Sequence, residues 1–244
     1  MSTESQTFLY PESKTIGEIV AENFNAAGVF RHFGMDFCCG GGITIEKACE
    51  KKNVDLDELI NELQKLDHTE ISANQNYRAW EPVYLIDHII DTHHRYVNSK
   101  LDEISSYAKK VASVHGTNAP ENIEIHKKFT LLANEMAEHM DDEETRVFPL
   151  INRISEKRKK GELVSESDIS ELKTELRKME DDHENAGQLM KDIRQLSHNF
   201  TPPSYACATY RILYQNLEAF EADLHKHVHL ENNILFKKAE LLIQ

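Results

Sequence analysis

The chain has 244 residues and carries 28 Lys and Arg against 42 Asp and Glu, a formal net charge of −14 at pH 7. Its hydrophobic fraction of 40% and charged fraction of 29% are typical of a globular protein and exclude the disordered class. No stretch approaches the apolar length of a membrane span, so we expect no membrane partner. The acidic balance also excludes nucleic acid as the main partner, because counterion release requires a basic surface.

The N-terminus and the cysteine count predict a cytoplasmic location. Residues 1–14 contain no basic segment followed by an apolar one, so no secretory signal is expected. Four cysteines are too few for a disulfide framework in a chain of this length, and a reducing cytosol is the simplest compartment. Thirteen histidines are the unusual feature of the composition.

The N-terminal part of the chain, residues 1–66, is predicted to be a small helical domain. It contains a turn with the sequence Cys-Cys-Gly-Gly-Gly at 38–42, in which the two cysteines are Cys38 and Cys39. Residues 67–79 are polar and aperiodic, which is typical of a linker. Short helices are expected at 15–27, 44–51 and 55–66.

Residues 80–244 are predicted to form four long helices, because their apolar residues recur in steps of three and four. Short connections between consecutive helices favour antiparallel neighbours. The prediction is therefore an all-α protein with an antiparallel up-down-up-down four-helix bundle. Pro149 should kink the second helix because it removes a backbone donor. From the Gly and Pro breaks, the helices are expected at 82–115, 121–158, 167–198 and 204–242.

Ionisable residues fill gaps in the apolar stripes of these helices. Burying such side chains without partners costs several kcal/mol, roughly 2–7 for an uncharged polar group and more for a charge, so they need hydrogen bonds or a metal. Two His-x-x-x-Glu pairs have the i, i+4 spacing that puts both side chains on one face of a helix. The six residues are His94, His139, Glu143, His183, His227 and Glu231.

The positions of these six residues predict that they meet at one level of the bundle. In an antiparallel pair of helices, two residues at the same level are equally far from the connecting turn. The midpoint of His94 and His139 falls in the Gly–Pro break at 116–120. The midpoint of Glu143 and His183 falls in the break at 161–163. The midpoint of His183 and His227 falls beside the break at 202–204.

Four imidazoles and two carboxylates converging in a helical bundle predict a dinuclear metal site. Carboxylates can bridge two cations while imidazoles bind the outer positions, and this donor set suits iron better than manganese or zinc. Remaining open positions would bind small molecules, since a saturated site is structural. The alternative is a set of buried histidines satisfied by hydrogen bonds in a purely structural bundle.

The other histidines and acids receive weaker assignments. Glu135 and Asp182 could accept hydrogen bonds from ligating imidazoles, although both could equally be surface acids. His115 lies 21 residues after His94 on one helix, too far along the axis to join the same site. The four histidines expected to face away from the helix seams, in solvent or supporting positions, are His88, His93, His225 and His229.

The cysteines need a separate interpretation. Adjacent cysteines such as Cys38 and Cys39 rarely join each other, and Cys49 is too distant to complete a CxxC zinc pair. Two interpretations remain open: small residues packed under a turn, or a redox-active or iron-handling pair of accessible thiols. Cys207 is expected to be an ordinary core residue of the last helix.

Several segments of the chain together match the pattern of a known family. In the N-terminal domain the segment is FGMDFCCGG at 33–41. In the bundle the segments are HII at 88–90 with His94, VH at 114–115, HMDDEE at 139–144, VFP at 147–149, DHE at 182–184, TPP at 201–203 and HVHLENN at 227–233. In these segments the chain resembles the Repair of Iron Centres (RIC) proteins, in which a small ScdA-type domain precedes a hemerythrin-like bundle, and the resemblance spans nearly the whole chain.

The resemblance implies two non-haem iron ions bridged by Glu143 and Glu231, with the four histidines of the set as terminal ligands. Oxygen-carrying hemerythrins have a further histidine where this chain has Gly187, so an open, reactive iron is favoured over oxygen carriage. His115 matches a recurrent histidine of the family, in conflict with its distance from the other ligands.

The implied function is repair of iron–sulfur clusters damaged by nitrosative or oxidative stress, by iron donation, by reduction of nitric oxide to nitrous oxide, or both. Its partners would be NO or O2 and the damaged iron–sulfur proteins, and the protein would be a monomer or a homodimer. The alternative is a sensor that binds O2 or NO reversibly and signals through the N-terminal domain.

Overall fold

The computed structural model describes residues 13–66 and 76–244. Over these residues the secondary structure is helical and contains no β-strand, which confirms the all-α prediction. A single isolated bridge joins Thr15 and Thr44. Residues 67–75 of the predicted linker lie outside the described residues, and Tyr77–Ala79 form one 3-10 turn.

Four short helices form the N-terminal part of the fold. Three of them begin at a side-chain cap: Thr15, Thr44 and Asp55 accept hydrogen bonds from backbone amides three residues later. Thr15 and Glu18 form a complete capping box. The helices are α1 (Ile16–Glu22), α2 (Ala26–His32), α3 (Ile45–Lys52) and α4 (Leu56–Gln64).

The single helix expected over 15–27 is two helices, so that prediction was wrong. Asn23 takes an extended conformation, with φ −142° and ψ 101°, and ends α1. Its side-chain oxygen then accepts a hydrogen bond from the amide of Asn25 at 3.0 Å. Asparagine competes with the helix for backbone groups in this way, which explains the break.

The four short helices share a compact unit with a piece of the last helix. Among the described residues this unit comprises 13–66, 76–80 and His229–Ile234, and the other described residues form a second unit. The side chains of Ile19, Phe30 and Leu59 are fully buried in the core of the first unit. A segment from near the end of the chain therefore belongs to the N-terminal unit.

The second unit contains long helices that agree with three of the four predicted starts to within one residue. The fourth starts at Ala208 instead of 204, because residues 203–206 form a turn in which the amide of Ala206 donates a hydrogen bond to the carbonyl of Pro203. The α-helices are α5 (Pro82–His88), α6 (Arg95–His115), α7 (Glu121–Asp142), α8 (Phe148–Lys159), α9 (Glu166–Leu196), α10 (Ala208–Leu230) and α11 (Phe236–Leu242).

Three π-helical turns interrupt the long helices, and none was predicted. They join α5 to α6, α7 to α8 and α10 to α11 without breaking the helical path. The second one ends at Val147, two residues before Pro149, the residue expected to kink that helix. The turns are Ile89–His94, Glu143–Val147 and Glu231–Leu235.

Packing between the long helices buries a continuous apolar core. Helix α7 packs against both α6 and α9, and α8 packs against α5 and α11. Phe129 and Phe220 meet edge to face, with ring centroids 5.5 Å apart. The antiparallel up-down order of the helices stays a prediction. Among the described helices, none combines the length and apolar character needed to cross a membrane.

Candidate metal centre

The six ionisable residues selected from the sequence come together in two groups. One group contains His94 and His227, and the other contains His139 and His183. Glu143 and Glu231 belong to both groups. Within each group the potential ligand atoms all lie within 4.8 Å of one another. Each group therefore offers two imidazoles and two carboxylates, with the carboxylates shared.

All six side chains are buried. The most exposed of them, His139, is only 4% exposed, and Glu143, His227 and Glu231 are 0% exposed. Isolated charges at this depth are strongly unfavourable, so a cation between the carboxylates would stabilise the arrangement.

The π turns set the positions of three of these residues. His94 is the last residue of the first turn, whereas Glu143 and Glu231 are the first residues of the other two. A π turn inserts one extra residue into a helix and so changes which side chains face inward, and such turns are frequent at functional sites. Because the first turn widens the helix beside His94, its neighbour His93 is also buried.

Acidic side chains fix the orientation of two imidazoles. The Nδ1 atom of His94 lies 2.7 Å from a carboxylate oxygen of Glu144. The Nδ1 atom of His139 lies 3.4 Å from Asp182, and this hydrogen bond holds the pKa of Asp182 below its ordinary value. With the proton on Nδ1, each Nε2 atom presents a lone pair to the interior, as metal-ligating histidines do.

Ring contacts hold the other two imidazoles. His183 stacks on the ring of Phe236 with centroids 6.0 Å apart, and its Nε2 atom lies 2.9 Å from Nε2 of His139. His227 stacks almost parallel on His93 with centroids 5.6 Å apart. His93 in turn bonds through Nδ1 to Asp223 at 2.9 Å. Each of the four imidazoles therefore has a protein contact that fixes its orientation.

The Glu143 carboxylate indicates what the site binds. Neither of its oxygens accepts a hydrogen bond from a described residue, although both are fully buried. Its Oε2 atom lies 3.3 Å from Nε2 of His94 and 3.4 Å from Nε2 of His139. Two ligand atoms about 2.1 Å from one metal ion stand roughly 3.0–3.4 Å apart, so the donor atoms have the spacing of a metal site. The residues present fit metal binding.

Of the two acids predicted to support the ligating imidazoles, only Asp182 contacts one of them. Asp182 contacts His139 as described, whereas Glu135 is exposed and belongs to neither group. His115 is also outside both groups, at the far end of α6, where its Nε2 atom lies 3.4 Å from the sulfur of Cys207. Cys207 was expected in the core but is exposed, because it precedes the first turn of α10.

Three contributors were missed by the sequence analysis. Glu144, His93 and Asp223 each contact a residue of the centre or its neighbour. His93, together with His229, was expected to face away from the helix seams, and both are buried. The only available signal was the acidic run Asp141–Glu144 beside a histidine. An ideal helical period assigns Glu144 and His93 to the wrong face, because it ignores the π turns.

The thiol-containing turn lies in the N-terminal unit. Cys38 is buried and Cys39 is half-buried, and neither forms a disulfide. Their sulfur atoms lie 3.9 Å apart, and Asp36 lies beside them. Asp36, Cys38 and Cys39 make a third group whose potential ligand atoms are within 4.8 Å of one another.

Comparison with known proteins matches both parts of the chain. Residues 12–67 match the ScdA_N domain, a domain of unknown function (DUF542), and residues 85–239 match the hemerythrin HHE cation binding domain.

The curated relatives match over almost their entire length. An iron-sulfur cluster repair protein ScdA from Staphylococcus haemolyticus is 37% identical, over 91% of this chain and 96% of the relative. An iron-sulfur cluster repair protein YtfE from Escherichia coli is 34% identical, over 92% of this chain and 95% of the relative. A probable iron-sulfur cluster repair protein from Haemophilus influenzae is 33% identical over 91% and 95%. The chain therefore belongs to the ScdA/YtfE family of iron–sulfur cluster repair proteins, the RIC family, in which an ScdA_N domain precedes a hemerythrin HHE domain.

Proposed function

We propose that the chain holds two non-haem iron ions and uses them in the repair of damaged iron–sulfur clusters. In this proposal His94 and His227 bind one iron, His139 and His183 bind the other, and Glu143 and Glu231 bridge them. The observation that carries the proposal is the Glu143 carboxylate, fully buried and without a hydrogen bond from any described residue. A cation on each side satisfies both of its oxygens.

The donor set favours iron among the first-row metals. Imidazole and carboxylate together suit iron, whereas a structural zinc site normally contains cysteine, and no cysteine belongs to either group. Two histidines and two shared carboxylates per metal also leave positions for exogenous ligands. When bound, such an iron pair supplies a redox-active centre that can accept a small molecule such as NO or O2.

The surrounding residues orient the ligands and exclude water. Glu144 and Asp182 hold the Nδ1 protons of His94 and His139, which keeps each Nε2 atom directed inward. Phe148 lies against His94 with ring centroids 5.7 Å apart, and Phe236 lies against His183. These apolar rings strengthen the electrostatic attraction between ligands and cations by lowering the local dielectric.

The repair function is proposed from the family. The relatives named above are called iron–sulfur cluster repair proteins, and this chain matches them over both domains. We infer that the recipients are cytoplasmic proteins whose clusters have been damaged by nitrosative or oxidative stress. The centre would act by donating iron, by reducing NO to nitrous oxide, or both. We further propose a division into an N-terminal domain at 1–66, a linker at 67–79 and a metal-binding domain at 80–244.

Cluster repair can be tested directly on a damaged substrate. A [4Fe–4S] dehydratase is inactivated with NO, freed of excess NO and incubated anaerobically with the protein, with a reductant and no added iron. Recovery of dehydratase activity is expected with the iron-loaded protein and with the exposed control variant Glu135→Gln. It should be lost with Glu143→Gln/Glu231→Gln. Equal recovery with the double variant contradicts the proposal.

A second assay separates the two chemical routes. Reduced protein is mixed anaerobically with NO, and nitrous oxide is measured in the headspace. Production of nitrous oxide indicates NO reduction, whereas repair without nitrous oxide indicates iron donation. A stable NO adduct with neither repair nor nitrous oxide favours a sensor instead.

A further inference from the structure

The turn that contains Cys38 and Cys39 has the geometry of a metal site. We propose that Asp36, Cys38 and Cys39 form a second cation site, separate from the histidine–carboxylate centre, for one divalent transition-metal ion that accepts thiolate ligands. Their potential ligand atoms all lie within 4.8 Å of one another. We expect the physiological ion to be Fe(II), and this expectation rests on the proposed function. The site itself rests on the geometry.

The distance between the sulfur atoms distinguishes a metal site from a disulfide. The two Sγ atoms lie 3.9 Å apart, nearly twice the length of about 2.05 Å for an S–S bond. Two thiolates bound at about 2.3 Å to one tetrahedral ion stand about 3.8 Å apart. The observed separation therefore matches two ligands of a single ion. Asp36 Oδ1, 3.1 Å from the sulfur of Cys38, is close enough to join them.

Hydrogen bonds hold the turn in this conformation. Asp36 Oδ1 accepts hydrogen bonds from the backbone amides of Cys38 and Cys39, each at 3.0 Å. Asn233 donates from Nδ2 to the carbonyl oxygens of Phe37 at 3.3 Å and Cys38 at 3.1 Å. Because both sides of the turn are bonded, its ligands are positioned before any cation arrives, and little ordering is needed on binding.

A glycine permits the close approach of this turn to Asn233. A Cβ atom on Gly41 would lie 2.4 Å from the carbonyl oxygen of Phe37 and 2.9 Å from the side-chain oxygen of Asn233. Real Cβ contacts are not that short, so any side chain at this position would force the turn to open. Gly41 is therefore required for the conformation that brings the two thiols together.

Metal binding at this turn is coupled to loss of the thiol protons, because the thiolate is the metal ligand. On binding, each thiol loses its proton to solvent and a metal–sulfur bond forms in its place, so a divalent cation releases up to two protons.

Access to the site is open from solvent. Asp36 is exposed and Cys39 is half-buried, so a cation can reach the carboxylate first and then the thiols.

Asn233 belongs to the same π turn as Glu231, the carboxylate proposed to bridge the irons. Within the N-terminal unit, the thiol turn is thus bonded to the element that supplies a ligand of the iron centre.

Cobalt is a suitable probe because thiolate-bound Co(II) has an intense sulfur-to-metal charge-transfer band in the near ultraviolet. The full-length, iron-loaded protein is titrated anaerobically with Co(II) in the presence of a reductant that does not bind metals. We expect one equivalent of Co(II) to produce this band. Cys38→Ser/Cys39→Ser should abolish it, and Asp36→Asn, which keeps the acceptor oxygen but removes the charge, should weaken binding at least tenfold.

The controls separate this site from the iron centre and from other cysteines. Cys207→Ser removes an exposed thiol outside the turn and should leave the band unchanged. Iron analysis is done on each variant, and Co(II) bound only by imidazole and carboxylate gives no sulfur band. Loss of iron with a retained band would refute the proposed function alone. Absence of the band in the wild type, or its survival in the double serine variant with intact helical circular dichroism, would overturn the thiol site.

Discussion

The side-chain amide of Asn233 donates a hydrogen bond to the carbonyl oxygen of Cys38 over 3.1 Å. Asn233 lies two residues after Glu231 on the same π turn. The same amide group contacts the carbonyl of Phe37 and the imidazole of His229. One side chain therefore connects the thiol-containing turn to the helix turn that supplies a proposed bridging carboxylate.

Replacing Asn233 with alanine tests this connection. The variant leaves two backbone carbonyls with one partner fewer, and a buried group without its partner costs about 1–3 kcal/mol. We expect the free energy of unfolding to fall by about this amount, measured by chemical denaturation, and the Co(II) affinity of the thiol turn to weaken. Asn118→Ala, at an exposed asparagine of the 116–120 turn, is the matched control and should change neither. Equal behaviour of the two variants would contradict the connection.

The acids that orient the imidazoles should control metal affinity. In Asp182→Ala the Nδ1 proton of His139 loses its acceptor, and in Glu144→Ala the same happens to His94. Partners of this kind are typically worth about 10–100-fold in metal affinity, so we expect each variant to bind Fe(II) weaker by that factor. Competition with a chromophoric chelator measures the affinity.

Conservative variants give the control for that experiment. Asp182→Asn retains an oxygen that can accept a hydrogen bond from Nδ1–H of His139, so it should recover most of the affinity lost in Asp182→Ala. Glu135→Gln changes an exposed acid that is in neither group and should bind iron like the wild type. If Asp182→Ala binds as tightly as Glu135→Gln, the hydrogen bond does not orient a ligand.

The Asp168 carboxylate should make the free energy of unfolding depend on pH. Its carboxylate accepts hydrogen bonds from Lys157 at 2.6 Å and Arg153 at 2.9 Å, and these cations hold its pKa well below the ordinary value. A carboxylate whose folded pKa is lowered stabilises the fold above its unfolded pKa of about 3.9, and this contribution is lost as the pH falls towards the folded value.

Asp168→Asn should therefore be less stable than the wild type at pH 7, and the difference should shrink below about pH 4. Urea denaturation of both proteins between pH 7 and pH 3 measures it. The substitution removes the charge but keeps a side chain of the same size, which makes it a close comparison. A stability difference that stays constant down to pH 3 would show that the ion pairs with Lys157 and Arg153 do not cause it.

Much of the helical fold was predictable because glycine and proline mark its breaks. The turns at 116–120 and 161–163 lie between observed helices, and the capping residues Thr44 and Asp55 stand at helix starts. The break at Asn23 was missed, since an apolar helical pattern continues across it. The turn after α9 is unusual in that three consecutive non-glycine residues, His198, Asn199 and Phe200, have positive φ values, and composition does not predict this.

The set of six buried residues was predictable for a different reason. Charged side chains within apolar stripes are conspicuous, and equal distances from the connecting turns relate residues on different helices. The surroundings of the site could not be found in this way. The π turns shift Glu144 and His93 from the positions that an ideal helix assigns, and Asn233 meets Cys38 across 195 residues of sequence. Such contacts depend on the tertiary fold.

The iron content of the purified protein tests the central claim most directly. Anaerobic protein is supplied with Fe(II), freed of excess metal and analysed for iron per chain, beside Glu143→Gln/Glu231→Gln. We predict two irons per chain in the wild type, and fewer than one in the variant at unchanged helical circular dichroism. A wild type that retains no iron, or a variant that retains two with the same visible spectrum, would contradict the carboxylate-bridged centre.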